Sequence, residues 1–296
     1  MRRNFTIPLK SFLPIRNAPH KVQYSTKPIP LAYFKASIQQ DNTQGSPVIM
    51  LHGLYGSKQN WRSLSKRISN NLNRDVYAID LRNHGESQHI EPHKYTSMTS
   101  DIAHFIEKHS IKKPIIVGHS MGGKVAMATS LLHSDIISGV VTVDIGPVKH
   151  SLGGNSLDYL NGLEEIERTG VSTLKEADSI LSKYEKSTVI RQFILTNLVK
   201  DQNSKNYKSR IPLDILKNSM ADISDWPFIS TLRYLGPSTL IAGKHSTYIN
   251  ETVLSAYMNH FPNSSVSFLE TGHWVHSEKP EEFYVLLSEF IKEHEL

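Results

Sequence analysis

A serine set between glycines, where a strand gives way to a helix, is the residue of this chain best equipped for chemistry. Gly118-His119-Ser120-Met121-Gly122 follows the apolar run Pro114-Ile115-Ile116-Val117, and Lys124–His133 continues with helical spacing through Val125, Ala128, Thr129 and Leu132. A serine hydroxyl is a poor nucleophile until something exposes it and takes its proton. A sharp strand-to-helix turn exposes it, and the small residues Gly118, Gly122 and Gly123 let the turn be tight and the helix sit close to the strand.

The proton needs a base, and the base needs a carboxylate to orient it. Among fifteen histidines, position must decide. His273, in Thr271-Gly272-His273-Trp274, stands just after the last expected strand and is the candidate base; His276 is its nearest rival. The common place for the acid is the loop after the strand Thr239–Ala242, which reads Gly243-Lys244-His245-Ser246-Thr247-Tyr248 and holds Ser246 where a carboxylate would stand. Asp144, in Val143-Asp144-Ile145-Gly146-Pro147, ends the neighbouring strand and is the preferred acid, with Asp222 and Asp225 as weaker candidates. Acyl transfer also needs donors for an oxyanion. Backbone donors carry no side-chain signature, so the N–H groups of Met121, directly after the serine, and of Leu54, in His52-Gly53-Leu54-Tyr55-Gly56-Ser57, are candidates by fold analogy alone.

These residues need a frame. Val48–Leu51, Asp75–Ile79, Pro114–Val117, Val140–Val143, Ser238–Ala242 and Ser265–Leu269 read as strands, and helical patterns lie between most of them, as at Trp61–Leu72 and Glu251–His260. This alternation implies an α/β fold with a mostly parallel sheet flanked by helices. It stops between about Val148 and Tyr234, where several helices follow one another with no strand expected, so residues 148–234 read as a helical cap inserted into a core formed by residues 28–147 and 235–296. Gly153-Gly154 and Gly236-Pro237 look like its hinges. Trp61 and Trp274 read as core residues, His52 and the segment Asp80–Ser87 as shapers of loops beside the site, and Lys58, Lys124 and Lys149 as solvated charges.

Composition removes several classes. With no cysteine, thiolate catalysis, disulfides and Cys-ligated metals are excluded. No metal pattern of the H-x-H or H-E-x-x-H kind and no G-x-G-x-x-G after a strand is present, so neither a metal nor a resident cofactor is expected. No apolar run reaches the length of a membrane span. The net charge of +5 belongs to the first forty residues, which carry seven basic residues and no acid. Residues 41–296 hold 26 basic and 28 acidic residues, giving no nucleic-acid surface. The acid-free basic stretch, rich in Ser, Thr and Pro, reads as a mitochondrial transit peptide over about residues 1–27. Oligomeric state is not encoded in these patterns.

Four segments together, His52-Gly53-Leu54-Tyr55-Gly56-Ser57-Lys58-Gln59-Asn60-Trp61, Asp80-Leu81-Arg82-Asn83-His84-Gly85-Glu86-Ser87, Gly118–Lys124 and Val143–Pro147, resemble the yeast mitochondrial ethanol acetyltransferase family, in the abhydrolase-11-like branch of the α/β-hydrolases. The resemblance covers the sheet domain and matches the cap only in its helical character. It implies an α/β-hydrolase fold and a Ser-Asp-His triad with its acid at Asp144. It also implies acetyl transfer from acetyl-CoA, as acyl-donor substrate, to ethanol, with side hydrolysis of short-chain esters and thioesters. A plain mitochondrial serine esterase or thioesterase carries the same motifs. A non-catalytic binding protein of this fold would be expected to lack one of Ser120, Asp144 and His273.

Overall fold

The computed structural model describes residues 27–37, 45–150 and 156–296. The expected transit peptide, apart from Lys27, and the glycine pair 153–154 lie outside the described residues.

The interior strands of the sheet, among them β2 (Val48–Leu51), β4 (Ile115–His119) and β5 (Gly139–Val143), are buried at every position. The sequences of these three are apolar runs rather than alternating ones, as expected of parallel strands covered on both faces. With β1 (Tyr33–Ala36), β3 (Val76–Ile79), β8 (Ser238–Gly243) and β9 (Ser264–Leu269) they form a seven-stranded sheet in the order β1-β3-β2-β4-β5-β8-β9. Only β1 runs antiparallel, against β3; the other pairings are parallel.

Alternate side chains of each strand feed two cores. Ile49, Leu51, Ile116, Val140 and Leu240 pack with α2 (Tyr95–Lys108), α3 (Met121–Leu132) and α9 (Glu251–His260). Val48, Met50, Val117, Val141 and Ile241 pack with α1 (Arg62–Leu72) and α10 (Pro280–Glu293) on the other face, where Trp61 is fully buried. The last helix begins with Pro280 and has Glu281 and Glu282 in its first turn, the residue types favoured at a helix N-terminus.

Between β5 and β8 the chain leaves the sheet and builds a third core of its own. It contains Leu160, Leu163 and Ile166 of α4 (Ser156–Thr169), Ala177, Ile180 and Leu181 of α5 (Leu174–Leu181), Ile194 and Leu195 of α6 (Thr188–Leu195) and Leu216 of α7 (Leu213–Asn218). Helix α5 starts with a capping box: Thr173 accepts the Glu176 N–H, and the Glu176 carboxylate accepts the Thr173 N–H. One feature departs from the all-helical expectation. β6 (Leu198–Lys200) and β7 (Tyr207–Ser209) form an antiparallel ribbon. Its connection is held by Asp201, whose carboxylate accepts the N–H groups of Asn203 and Ser204 at 2.9 and 3.0 Å. The short helix α8 (Met220–Ser224) then returns the chain to the sheet. Among the described residues no helix is long and apolar enough to cross a membrane.

Candidate active site

The candidate residues collect at the carboxyl ends of β4, β5, β8 and β9, where parallel sheets place their ligand crevices. Ser120 occupies the turn between β4 and α3 with φ 52° and ψ −119°, a conformation that L-residues rarely adopt. The surroundings force that turn. A Cβ on Gly118 would stand 2.1 Å from the carbonyl oxygen of Gly122, and one on Gly122 would stand 2.5 Å from the carbonyl oxygens of Leu51 and His52. The Ser120 N–H donates to the carbonyl of Val143 at 3.1 Å, so the turn is fastened to the strand end that carries Asp144.

Asp144 is wholly buried and also has positive φ. Its Oδ2 accepts from His273 Nδ1 at 2.7 Å, and its Oδ1 accepts the Gly243 N–H at 2.8 Å. Ser246 Oγ also donates to Oδ2, so the residue standing in the common acid position serves as a partner of the carboxylate. Because the Nδ1–H of His273 donates to Asp144, its Nε2 is left as the acceptor face. Tyr248 stacks on the His273 ring, with centroids 4.1 Å apart and planes 21° apart. From the other side, His119 lies 4.7 Å away, ring to ring, and its Nε2 bonds the His273 carbonyl at 2.9 Å. Burial holds His119 well below the usual histidine range.

The loop after β2 closes the site. A Cβ on Gly53 would stand 3.2 Å from Ser120 Cβ. The N–H groups of Leu54 and of Met121, the first residue of α3, make no hydrogen bond among the described residues. The same loop meets the cap: Tyr55 OH donates to the Ser156 carbonyl at 2.5 Å, and Asn197 Nδ2 donates to the Tyr55 carbonyl at 2.9 Å. Trp274, beside His273, is partly exposed and contacts Phe193 of α6, so it borders the site and only Trp61 of the two is a core residue.

The rivals stay outside the triad, although the His276 ring lies 4.7 Å from that of His119. His276 is buried, stacked on Trp61 with centroids 4.1 Å apart, and its pKa is lowered to about 3 by that burial. Asp222 pairs with Lys94 at 3.6 Å on the surface. Two lysines expected in solvent are buried. Lys58 Nζ sits between Asp80 (2.5 Å) and Glu86 (2.9 Å). Lys124 Nζ donates to the carbonyls of Ser224 and Asp225 at 2.9 Å each, tying α3 to the end of the cap near Asp225. Lys149 is exposed. Sequence reasoning passed over His119 and Tyr248. His119 is the variable residue of the G-x-S-x-G motif itself, and Tyr248 lies two residues past the serine already in view.

The family model described as alpha/beta hydrolase fold matches residues 46–280. The probable alcohol acetyltransferase of Saccharomyces cerevisiae is 35% identical over 93% of this chain and 86% of its own length. The sn-1-specific diacylglycerol lipase ABHD11 of Danio rerio is also 35% identical, over 90% of this chain and 84% of its own. Among solved structures, a marine microorganism esterase superposes with a TM-score of 0.82 at 30% identity, covering 88% of this chain and 99% of that one. The chain therefore belongs to the alpha/beta hydrolase fold family, in the branch that includes the yeast alcohol acetyltransferases and the ABHD11 lipases, and its function is acyl transfer or hydrolysis.

Proposed function

We propose that this protein is an alcohol acetyltransferase that makes ethyl acetate from acetyl-CoA and ethanol, with Ser120, His273 and Asp144 as its triad. Ser120 attacks the acetyl thioester while His273 Nε2 takes its proton, and Asp144 holds the imidazole tautomer and stabilises the imidazolium. The N–H groups of Leu54 and Met121 receive the oxyanion. The intermediate collapses, and CoA leaves as the thiol with the proton from His273. Ethanol then enters, His273 takes its proton, and the acetyl group passes from Ser120 to the alcohol. Water in place of ethanol gives acetate, the side hydrolysis. No metal and no resident cofactor enters the sequence of steps.

The observation that carries the transferase reading is the likeness to a probable alcohol acetyltransferase along nearly the whole chain; the direct Asp144–His273 bond supports the triad. The equal likeness to a lipase-named relative favours a second reading, a serine esterase or thioesterase without physiological alcohol transfer. Incubation of the purified protein with acetyl-CoA and ethanol, following free CoA, acetate and ethyl acetate together, separates them. Ethyl acetate that disappears in Ser120→Ala is the expected result. CoA release without ester makes the protein a thioesterase, and cleavage of aryl esters without acetyl-CoA turnover makes it an esterase. The basic leader supports a mitochondrial location, tested by import of the full-length chain into isolated mitochondria with shortening of its N-terminus.

A further inference from the structure

The loop that offers the Leu54 N–H is held by two imidazoles, and their hydrogen bonds fix how that N–H points. The carbonyl of Gly53 and the N–H of Leu54 belong to one planar trans peptide, so the direction of one sets the direction of the other. The Gly53 carbonyl accepts from His52 Nδ1 at 2.8 Å and from the Gly56 N–H at 3.0 Å. The next peptide is held through its other end, for the Tyr55 N–H donates to His84 Nε2 at 3.2 Å. The two planes on either side of the Leu54 Cα are thus both set by histidine rings.

The rings are themselves anchored in the loop after β3. His52 Nε2 accepts the Leu81 N–H at 3.0 Å, and His84 Nδ1 donates to the Arg82 carbonyl at 3.1 Å. A carbonyl can only accept and an amide N–H can only donate, so both rings are neutral and protonated at Nδ1. The Gly53 Cα lies against Ser120, which puts this peptide beside the candidate nucleophile.

We propose that His52 is a positioning residue for acyl transfer: through the Gly53–Leu54 peptide it aims the Leu54 N–H at the oxyanion and, by polarising the carbonyl, strengthens that N–H as a donor. The proposal rests on the Ser120 reading given above. It separates His52 from a residue that merely fills the core, because its effect is felt when charge develops on the substrate oxygen and not when the ester binds.

The test compares two substitutions of nearly equal shape in the full-length protein. His52→Asn retains a side-chain N–H able to reach the Gly53 carbonyl, and His52→Leu does not. Hydrolysis of p-nitrophenyl acetate gives kcat and KM, and phenylboronic acid, which forms a tetrahedral adduct on the serine, reports the oxyanion site without turnover. Loss of an oxyanion donor lowers kcat by about 100- to 1000-fold. His52→Leu, which misdirects the donor, is expected to lose about 30- to 100-fold in kcat. Its KM should stay within twofold, and phenylboronic acid should weaken in parallel with kcat. His52→Asn should recover at least about tenfold of that loss. A folded His52→Leu protein with kcat and inhibitor affinity within threefold of wild type overturns the proposal, as does an equal loss in both variants. If neither variant folds, the wild type decides. Adduct formation should move the His52 Nδ1–H proton resonance downfield, because an oxyanion at the Leu54 N–H draws charge onto the Gly53 carbonyl; an unmoved resonance overturns the proposal. Ser120→Ala distinguishes the two levels. Turnover persisting in Ser120→Ala removes the triad reading, whereas its abolition alongside a fully active His52→Leu removes the His52 role alone.

Discussion

Replacing Asp144 by asparagine tests the site at its most constrained point. The carboxylate is wholly buried and serves three donors: His273 Nδ1 and the Ser246 hydroxyl on Oδ2, and the Gly243 N–H on Oδ1. Asparagine keeps the shape and one oxygen. The Gly243 N–H cannot accept, so that oxygen must face it, which turns the new NH2 toward His273. His273 Nδ1 then becomes the acceptor and the ring proton moves to Nε2, where it blocks uptake of the proton from Ser120. The charge that would stabilise the imidazolium is gone as well. The expected loss in kcat is about 10³- to 10⁴-fold, or ~4–5.5 kcal/mol of transition-state stabilisation. KM for an aryl acetate should change little, because Asp144 lies behind the histidine. The fold should lose only about 1–2 kcal/mol, since one charge-assisted bond is replaced by a neutral one. Stopped-time hydrolysis of p-nitrophenyl acetate and of acetyl-CoA, with urea unfolding of the same samples, reads all three quantities. Asp222→Asn, on the surface, is the matched control and should behave as wild type. A folded Asp144→Asn protein within tenfold of wild-type kcat would refute the assignment.

Gly122→Ala should destabilise the protein by about 1–3 kcal/mol and lower activity, because its Cβ would meet two backbone carbonyls at 2.5 Å that cannot swing aside; an unchanged urea midpoint would count against this packing. Leu163→Ala, in the core of the cap, should cost about 2–5 kcal/mol, read by the same unfolding, and a cost below about 1 kcal/mol would mean that the cap repacks around the gap. Burial brings the pKa of Lys124 down from 10.5 to about 7. Between those values the unfolded chain holds a proton that the folded chain has released, so stability rises with pH across that window and the burial penalty is fully felt below it. Lys124→Met should flatten the rise of the urea midpoint between pH 7 and 10; equal slopes in the two proteins would show that Lys124 remains charged throughout.

The parts of this site that stand at strand ends were legible in the sequence, because a buried parallel strand is a continuous apolar run and its end is easy to find. Asp144 directly follows β5, the strand beside the nucleophile strand, and bonds His273. Contacts made across the chain were not legible. Lys58 and Lys124 carry the residue type of a solvated charge, and what buries them lies at Asp80 and Glu86 in one case and at the carbonyls of Ser224 and Asp225, a hundred residues away, in the other. The ribbon β6–β7 was missed because three-residue strands are too short to display an alternation, although Asp201, Asn203 and Ser204 carried the turn signal between them. The common acid position holds Ser246, and nothing local says that a serine there will hold the carboxylate of a neighbouring strand.

Tyr55 has a bearing on how such enzymes could be taken apart or recombined. Its N–H is held by His84 in the sheet domain, its carbonyl by Asn197 of the cap, and its hydroxyl by the Ser156 carbonyl where α4 begins. A chimera that grafts a foreign cap onto this sheet would therefore inherit a tyrosine with two vacant sockets, one residue from the proposed oxyanion donor. Cap and sheet are not interchangeable modules: a workable graft must carry an amide at the place of Asn197 and a free carbonyl at the place of Ser156, whatever else it changes in the pocket.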